Sequence, residues 1–181
     1  DERIQTLFRR SKKLGMDLEQ YCDAGLLSGH QVDPAELTPG EFSARVKDAV
    51  EDGVSMVAVD SLNGFYYAMP DERLLDLHLH ELLSFLNRQG VTSFLVLSYS
   101  NISAQTPDLI DISYIADTVI LMRLFEFKGA IHKCISIHKR REGEHENTLR
   151  RFDLKNNCVT VGPPLDEFTG IISGMPRFTG D

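Results

Sequence analysis

Apolar residues recur at alternating helical and extended spacings in the N-terminal part of the chain. Steps of three and four predict a helix over residues 2–14, and a second, short helix is expected from Asp17 to near Gly25. Residues 26–32 are a weak strand candidate. The pattern therefore predicts helices and extended segments in alternation.

The next segment contains a helix start. Thr38 precedes Pro39, and Glu41 lies three residues beyond Thr38, which is the pattern of a capping box with proline in the first helical turn. This helix is predicted to end near Gly53. Its apolar side chains recur at a spacing of four, so we expect one face to be buried.

Two short apolar segments are predicted to be parallel strands. Residues 54–59, VSMVAV, are almost wholly apolar, which is typical of a strand buried on both faces of a parallel sheet. A leucine-rich helix is expected after Pro70 and is predicted to end at Gly90. The leucines predicted to face inward are Leu75, Leu79, Leu82, Leu83 and Leu86. A second buried strand is predicted at residues 91–97. This order predicts a right-handed crossover.

The C-terminal part has the pattern of antiparallel hairpins. Two strand pairs are predicted, residues 118–127 with 131–139 and residues 149–154 with 158–161. Lys128-Gly129 suits a two-residue turn in the first pair, and the tail from residue 162 is expected to be irregular. The predicted fold class is α/β, a mostly parallel sheet flanked by helices with antiparallel hairpins at one edge.

Composition narrows the class of protein. The 181 residues are 42% hydrophobic and 25% charged with a net charge of −8, as in a globular domain that does not bind nucleic acid through a general basic surface. The three cysteines, Cys22, Cys134 and Cys158, are widely spaced, which favours reduced thiols in a cytoplasmic protein. No apolar run approaches the ~18 residues of a membrane span.

One carboxylate follows the first predicted parallel strand. Open α/β sheets bind ligands beyond the carboxyl ends of their strands, which is where Asp60-Ser61 lies. A carboxylate there can support Mg²⁺ beside nucleotide phosphates, mainly through water. The alternative is that Asp60 caps the segment that follows.

Charged clusters mark two further positions. Residues two apart on a strand share a face, so Lys139 and Arg141 are predicted to point together, away from Arg140, and could contact a phosphate. The alternative is a solvated cluster that protects a strand edge. Asp1 and Glu2 stand at the start of a predicted helix, where acidic side chains interact favourably with the positive end of the helix dipole. The functional alternative is that one of these carboxylates polarises an attacking water.

Together these segments resemble the KaiC-like branch of the RecA-type ATPases. Four stretches carry the resemblance, in the order DERIQTLFRRSKKLGMDL, VAVDSLNGF, SYIADTVILMRLFEFKGAIHKCISIHKRREGEHENTLRRF and VGPPLDEFTGIISGMPRF. In the same order, they look like the family's acidic pair with the helix that follows it, its Walker B strand, its hairpin, and its closing segment. The hairpin stretch includes the trans-acting segment, which reaches from one subunit to the nucleotide held by its neighbour. The resemblance covers nearly the whole chain and implies a RecA-like fold.

The resemblance implies roles for residues near the strand ends. Asp60, with Ser61 beside it, matches the Walker B position that supports Mg²⁺, and Asp1 and Glu2 match the catalytic carboxylate pair. Ser98 matches a small residue at the nucleotide-facing end of the next strand. The implied cofactors are ATP and Mg²⁺.

The resemblance also implies assembly. Lys139 and Arg141 match the pair that reaches the nucleotide held by the neighbouring subunit, and His145 matches a position near that nucleotide. Ser113 matches one of two adjacent autophosphorylated positions, and Tyr114 replaces the threonine of the other. The parent protein is expected to form a ring, a hexamer, in the cytoplasm.

The family's phosphate-binding motif, GxxxxGK[ST], does not occur in the 181 residues. The chain is therefore expected to be the C-terminal part of an ATPase domain and to be inactive alone, with helices and parallel strands in residues 1–127, hairpins in 128–161 and an irregular tail in 162–181. Two other functions stay open: a non-catalytic module for oligomerisation or partner binding, and a RecA-type DNA recombination ATPase.

Overall fold

The computed structural model describes residues 2–68, 75–98, 114–155 and 157–180. The described residues form two compact units, one drawn from residues 1–8 and 19–99 and the other from residues 9–18 and 100–181. The elements in chain order are α1 Ile4–Lys13, α2 Glu19–Asp23, α3 Pro39–Glu51, β1 Met56–Asp60, α4 Asn63–Ala68, α5 Leu75–Arg88, β2 Thr92–Val96, β3 Thr118–Phe127, β4 Ala130–Arg140, β5 Arg150–Lys155, β6 Cys158–Pro164, β7 Phe168–Thr169 and β8 Arg177–Phe178.

The segment after α2 is not a strand. The helices α1 and α2 confirm the predicted pair, but the strand predicted over residues 26–32 is wrong. The backbone N–H groups of Leu26 and Leu27 donate to the carbonyl of Tyr21, at 2.8 and 3.1 Å. These donors close the end of α2, so they are not used in a β-ladder.

The predicted capping box of α3 is confirmed. The Thr38 hydroxyl accepts the backbone N–H of Glu41 at 3.2 Å, and the Glu41 carboxylate accepts the backbone N–H of Thr38 at 2.9 Å. The hydrogen bonds from Thr38, that of its backbone N–H first, lower the pKa of Glu41. The cap thus satisfies donors that a helix start leaves unpaired.

The leucine-rich helix α5 buries its predicted face. Five leucines of α5 are buried, namely Leu75, Leu79, Leu82, Leu83 and Leu86. α5 contacts both α3 and β2. The sequence pattern predicts no element over α4, because its six residues are too short to show a helical period. Phe65 of α4 nevertheless packs against Phe42 of α3, with 5.1 Å between the ring centroids.

The strands β1 and β2 are parallel, as predicted, with Met56 opposite Thr92 and Asp60 opposite Val96. The prediction that both faces are buried is wrong, because Met56 is 60% exposed, Phe94 53% and Val96 42%. Burial of both faces requires covering elements on both sides. In the described residues this sheet has two strands, and only one of its faces is partly covered.

The second unit contains a four-stranded antiparallel sheet in the order β3-β4-β5-β6. Lys128 and Gly129 both adopt positive φ, at 51° and 71°, and confirm the predicted two-residue turn. The tail is not wholly irregular, since β6 extends to Pro164 and β7 pairs with β8. Phe168 of β7 packs against Phe178 of β8 at 5.3 Å, so contacts between aromatic rings order the tail.

None of the helices in the described residues is long and apolar enough to cross a membrane.

Candidate functional site

Asp60 lies where the two parallel strands end together. It is the last residue of β1 and is in register with Val96, the last residue of β2. Its side chain is exposed, and the peptide bond to the half-buried Ser61 is cis. Asp60 therefore stands at the edge of the sheet where open α/β folds bind ligands.

Asn63 ties the two strand ends to each other. This first residue of α4 is 3% exposed. Its Nδ2 donates to the carbonyl of Ser98 at 2.7 Å, and its Oδ1 accepts the backbone N–H of Ser98, also at 2.7 Å. The backbone N–H of Leu62 donates to the carbonyl of Val96 at 3.1 Å. These hydrogen bonds join the loop after β1 to the loop after β2.

The carboxylate at this edge of the sheet fits a hydrated cation. In the part of the chain that the structure describes, no group of three or more His, Cys, Asp and Glu side chains could hold a metal ion. Asp60 offers one exposed carboxylate, and Mg²⁺ is commonly held by one or two carboxylates together with water and phosphate oxygens. The residues present therefore fit Mg²⁺ bound with a phosphate ligand.

Arg141, in the other unit, is held by the segment that leads into β3. Its Nη1 lies 3.1 Å from Oδ1 of Asp117, its Nη2 donates to the carbonyl of Tyr114 at 2.7 Å, and its backbone N–H donates to the carbonyl of Asp117 at 2.7 Å. The side chain is nevertheless 49% exposed. A guanidinium has five N–H donors, so the group is both oriented and accessible.

A β-bulge precedes Lys139. Val119 is opposite Lys139 whereas Ile120 is opposite Ile137, which leaves His138 as the extra residue of β4. The strand ends at Arg140, so Arg141 lies just beyond it. Strand alternation, from which we predicted a shared face for Lys139 and Arg141, therefore does not orient Arg141; its contacts with Asp117 and Tyr114 do.

The loop after β4 holds His145, which is half-buried. The next residue, Glu146, accepts a hydrogen bond from Thr148 and pairs with Arg150 at 3.0 Å. The Thr148 hydroxyl first, and then Arg150, lower the pKa of Glu146. These local contacts restrict the loop that carries His145.

A separate pocket of about 480 Å³ lies in the second unit, lined by Phe125, His132, Arg151 and Phe168 among others. Arg151 pairs with Asp153 at 2.8 Å. The sequence contains no motif that predicts this pocket, because its walls come from all four strands of the antiparallel sheet, β3 to β6, and from the segment that leads into β7.

Comparison with known proteins decides the family. A profile of the family described as "ATPase: KaiC" matches residues 1–166, which is most of the chain. This chain belongs to the KaiC ATPase family. The resemblance found in the four sequence stretches is thereby confirmed.

Curated KaiC proteins are similar to this family member along nearly its whole length. The circadian clock protein KaiC3 of Synechocystis sp. is 26% identical over 182 residues, 99% of this chain and 36% of KaiC3. The circadian clock oscillator protein KaiC of Thermostichus vulcanus is 23% identical over 178 residues, 97% of this chain and 34% of that protein. The chain thus spans about a third of the length of these curated relatives.

A solved KaiC-like protein shares the fold. The crystal structure of a KaiC-like protein from Pyrococcus horikoshii OT3 superposes with a TM-score of 0.76 at 22% sequence identity, and the match covers 90% of this chain and 72% of that one. The predicted RecA-like α/β class, with parallel strands and an antiparallel sheet, is confirmed.

The residues expected to be functional in this KaiC family member are distributed between the two units. Asp60, Ser61 and Ser98 lie at one strand edge, and the half-buried Glu2 belongs to the same unit. The other unit contains Lys139, Arg141 and His145. Asp1 and Ser113 lie outside the described residues.

Sequence reasoning missed Asn63 and Asp117. Asn63 interrupts a largely apolar stretch just after a strand, which is a signal for a buried and hydrogen-bonded polar side chain. Asp117 precedes β3 and is distant in sequence from Arg141, so only the antiparallel pairing of β3 and β4 brings the two side chains together.

Proposed function

We propose that this chain is part of an ATPase that binds ATP with Mg²⁺ between the subunits of a ring, with six subunits as the proposed number. One observation carries the proposal. In a member of the KaiC ATPase family, an exposed carboxylate, Asp60, stands where two parallel strands end. The three free cysteines support a cytoplasmic location.

The first unit would supply the groups around the nucleotide phosphates. Bound Mg²⁺ would neutralise phosphate charge during transfer. Asp60 would accept hydrogen bonds from the water around that ion, with Ser61 and Ser98 beside it. Glu2, together with Asp1, would accept a hydrogen bond from the attacking water and orient it.

The second unit would complete the site of the neighbouring subunit. Residues 128–161 would be its trans-acting part, in which Lys139 and Arg141 contact the phosphates and His145 lies near the nucleotide. Arg141 suits this role because Asp117 and Tyr114 orient it while about half of its side chain stays exposed. A planar guanidinium matches phosphate oxygens in a bidentate manner.

Asp60→Asn tests the proposal in the full-length protein. The substitution keeps the shape of the side chain and removes its charge, so Mg²⁺-dependent phosphate release should fall by about a hundredfold or more. Asp52→Asn, at the exposed end of α3 in the same unit, is the matched control and should retain turnover.

Other results would point to other functions. Undiminished turnover in Asp60→Asn would refute the proposed role of this carboxylate. Assembly of the wild-type protein without turnover would support a non-catalytic oligomerisation module, and tight, salt-sensitive binding of single-stranded DNA would support a recombination ATPase. Autophosphorylation is proposed at Ser113, and mass spectrometry after incubation with ATP would detect it.

A further inference from the structure

Asn63 is a buried polar side chain whose two ends both contact one residue. Its amide oxygen accepts the N–H of Ser98 and its amide nitrogen donates to the carbonyl of Ser98, each at 2.7 Å. It is 3% exposed, and a buried amide is costly unless such partners are present. The side chain thus contacts Ser98 as a neighbouring strand would.

The residue before Asn63 strengthens the same connection. Leu62 is fully buried, and its backbone N–H donates to the carbonyl of Val96 at 3.1 Å. Val96 is the residue in register with Asp60. Two consecutive residues, the last of the loop after β1 and the first of α4, therefore bind the end of β2 and the loop beyond it.

Both atoms of the Asn63 amide are required for this contact. A backbone N–H needs an acceptor and a backbone carbonyl needs a donor, and a primary amide offers both. Aspartate has nearly the same shape, but its second carboxylate oxygen would face the Ser98 carbonyl and repel it. Alanine would leave both backbone groups of Ser98 without this partner.

We propose that Asn63 is a positioning residue, which holds the Ser98 loop against the strand end of Asp60 so that both meet the nucleotide in one fixed geometry. The inference rests on the proposed ATPase function. Asn63 would not touch the nucleotide itself. Its effect would therefore fall on the rate of the chemical step and not on nucleotide affinity, since small displacements of catalytic groups strongly reduce rates.

Steady-state kinetics of the full-length protein test the proposal with Asn63→Ala and Asn63→Asp. We expect kcat to fall by about tenfold or more in both variants, while KM for ATP changes by less than about threefold. The aspartate variant separates hydrogen bonding from packing, because it fills the same volume. Phe65→Leu is the matched control: it loosens the packing of α4 on α3 and should lower Tm without lowering kcat.

Hydrogen exchange of the Ser98 amide in the same proteins tests the contact directly. Exchange should be slow in the wild type and in Phe65→Leu, and clearly faster in Asn63→Ala. Equal exchange in wild type and Asn63→Ala, or wild-type kcat in both Asn63 variants, would overturn the positioning role alone. A wild-type protein without Mg²⁺-dependent turnover would overturn the proposed function, and the inference with it.

Discussion

At the scale of single residues, hydrogen bonds to the backbone place the side chains of the candidate site. Asn63 binds the backbone of Ser98, and Arg141 binds the carbonyl of Tyr114 as well as the carboxylate of Asp117. An exposed ion pair such as Arg141–Asp117 adds about 0–1 kcal/mol to stability. We therefore expect this ion pair to orient the Arg141 side chain and to add little to the free energy of unfolding.

Arg141→Ala in the full-length protein tests that role. If Arg141 stabilises phosphate charge from a neighbouring subunit, turnover should fall by about a hundredfold or more while the assembly seen by light scattering is kept. The adjacent Arg140 is the matched control, because it is also exposed and cationic, and its side chain donates to a nearby carbonyl, that of Glu144. An equal loss of turnover in Arg140→Ala and Arg141→Ala would contradict a specific role.

At the scale of elements, sequence patterns predicted those structures whose partners are local. The capping box of α3, the buried face of α5 and the Lys128-Gly129 turn all follow from residues within a few positions of one another. The strand prediction for residues 26–32 was wrong because apolar character alone does not supply a neighbouring strand. Helix α4 was missed because six residues span less than two helical turns.

Thr38→Ala tests the capping box. Loss of the N-cap should lower the free energy of unfolding by about 1 kcal/mol at pH 7. The pKa of Glu41 is lowered in the folded state, so its share of stability is present above the ordinary glutamate pKa and is lost as pH falls through the lowered value. Alanine keeps the backbone N–H that binds Glu41 but removes the Thr38 hydroxyl, which donates to the Glu41 carboxylate at 2.8 Å. The difference between wild type and Thr38→Ala should therefore shrink at acidic pH by the share of this hydroxyl hydrogen bond.

Urea denaturation at neutral and acidic pH measures this difference. Glu36→Ala, an exposed position just before the cap, should change the free energy of unfolding by less than about 0.5 kcal/mol. A loss in Thr38→Ala that stays constant with pH would show that the hydrogen bond from the Thr38 hydroxyl to the Glu41 carboxylate does not contribute to stability, since the backbone N–H of residue 38 is kept in the variant.

At the scale of the whole molecule, one face of the parallel sheet is less covered than its sequence predicts. Met56 and Phe94 are exposed, although apolar strands of this kind are typically covered on both faces. The second sheet also exposes apolar side chains along β3, at Ile120, Met122 and Leu124. Both sheets therefore carry exposed apolar side chains in the part of the chain that the structure describes.

The purified 181-residue chain should hydrolyse ATP negligibly. The reason is chemical: no GxxxxGK[ST] motif is present to surround the phosphates with backbone N–H groups and a lysine. Phosphate release measured with and without Mg²⁺ checks this expectation. Turnover that requires Mg²⁺ and disappears in Asp60→Asn of the same chain would refute it.

The sequence by itself determined the local elements, the order of strands and helices, and the family, because these depend on short-range spacing and on ordered motifs. It also predicted that Asp60 follows a strand, since an apolar run that ends in aspartate is visible in the letters. Only the tertiary structure decided that Asn63 binds Ser98 and that Asp117 meets Arg141. The physical reason is that these partners lie 35 and 24 positions apart and are brought together by strand pairing, which no local pattern encodes.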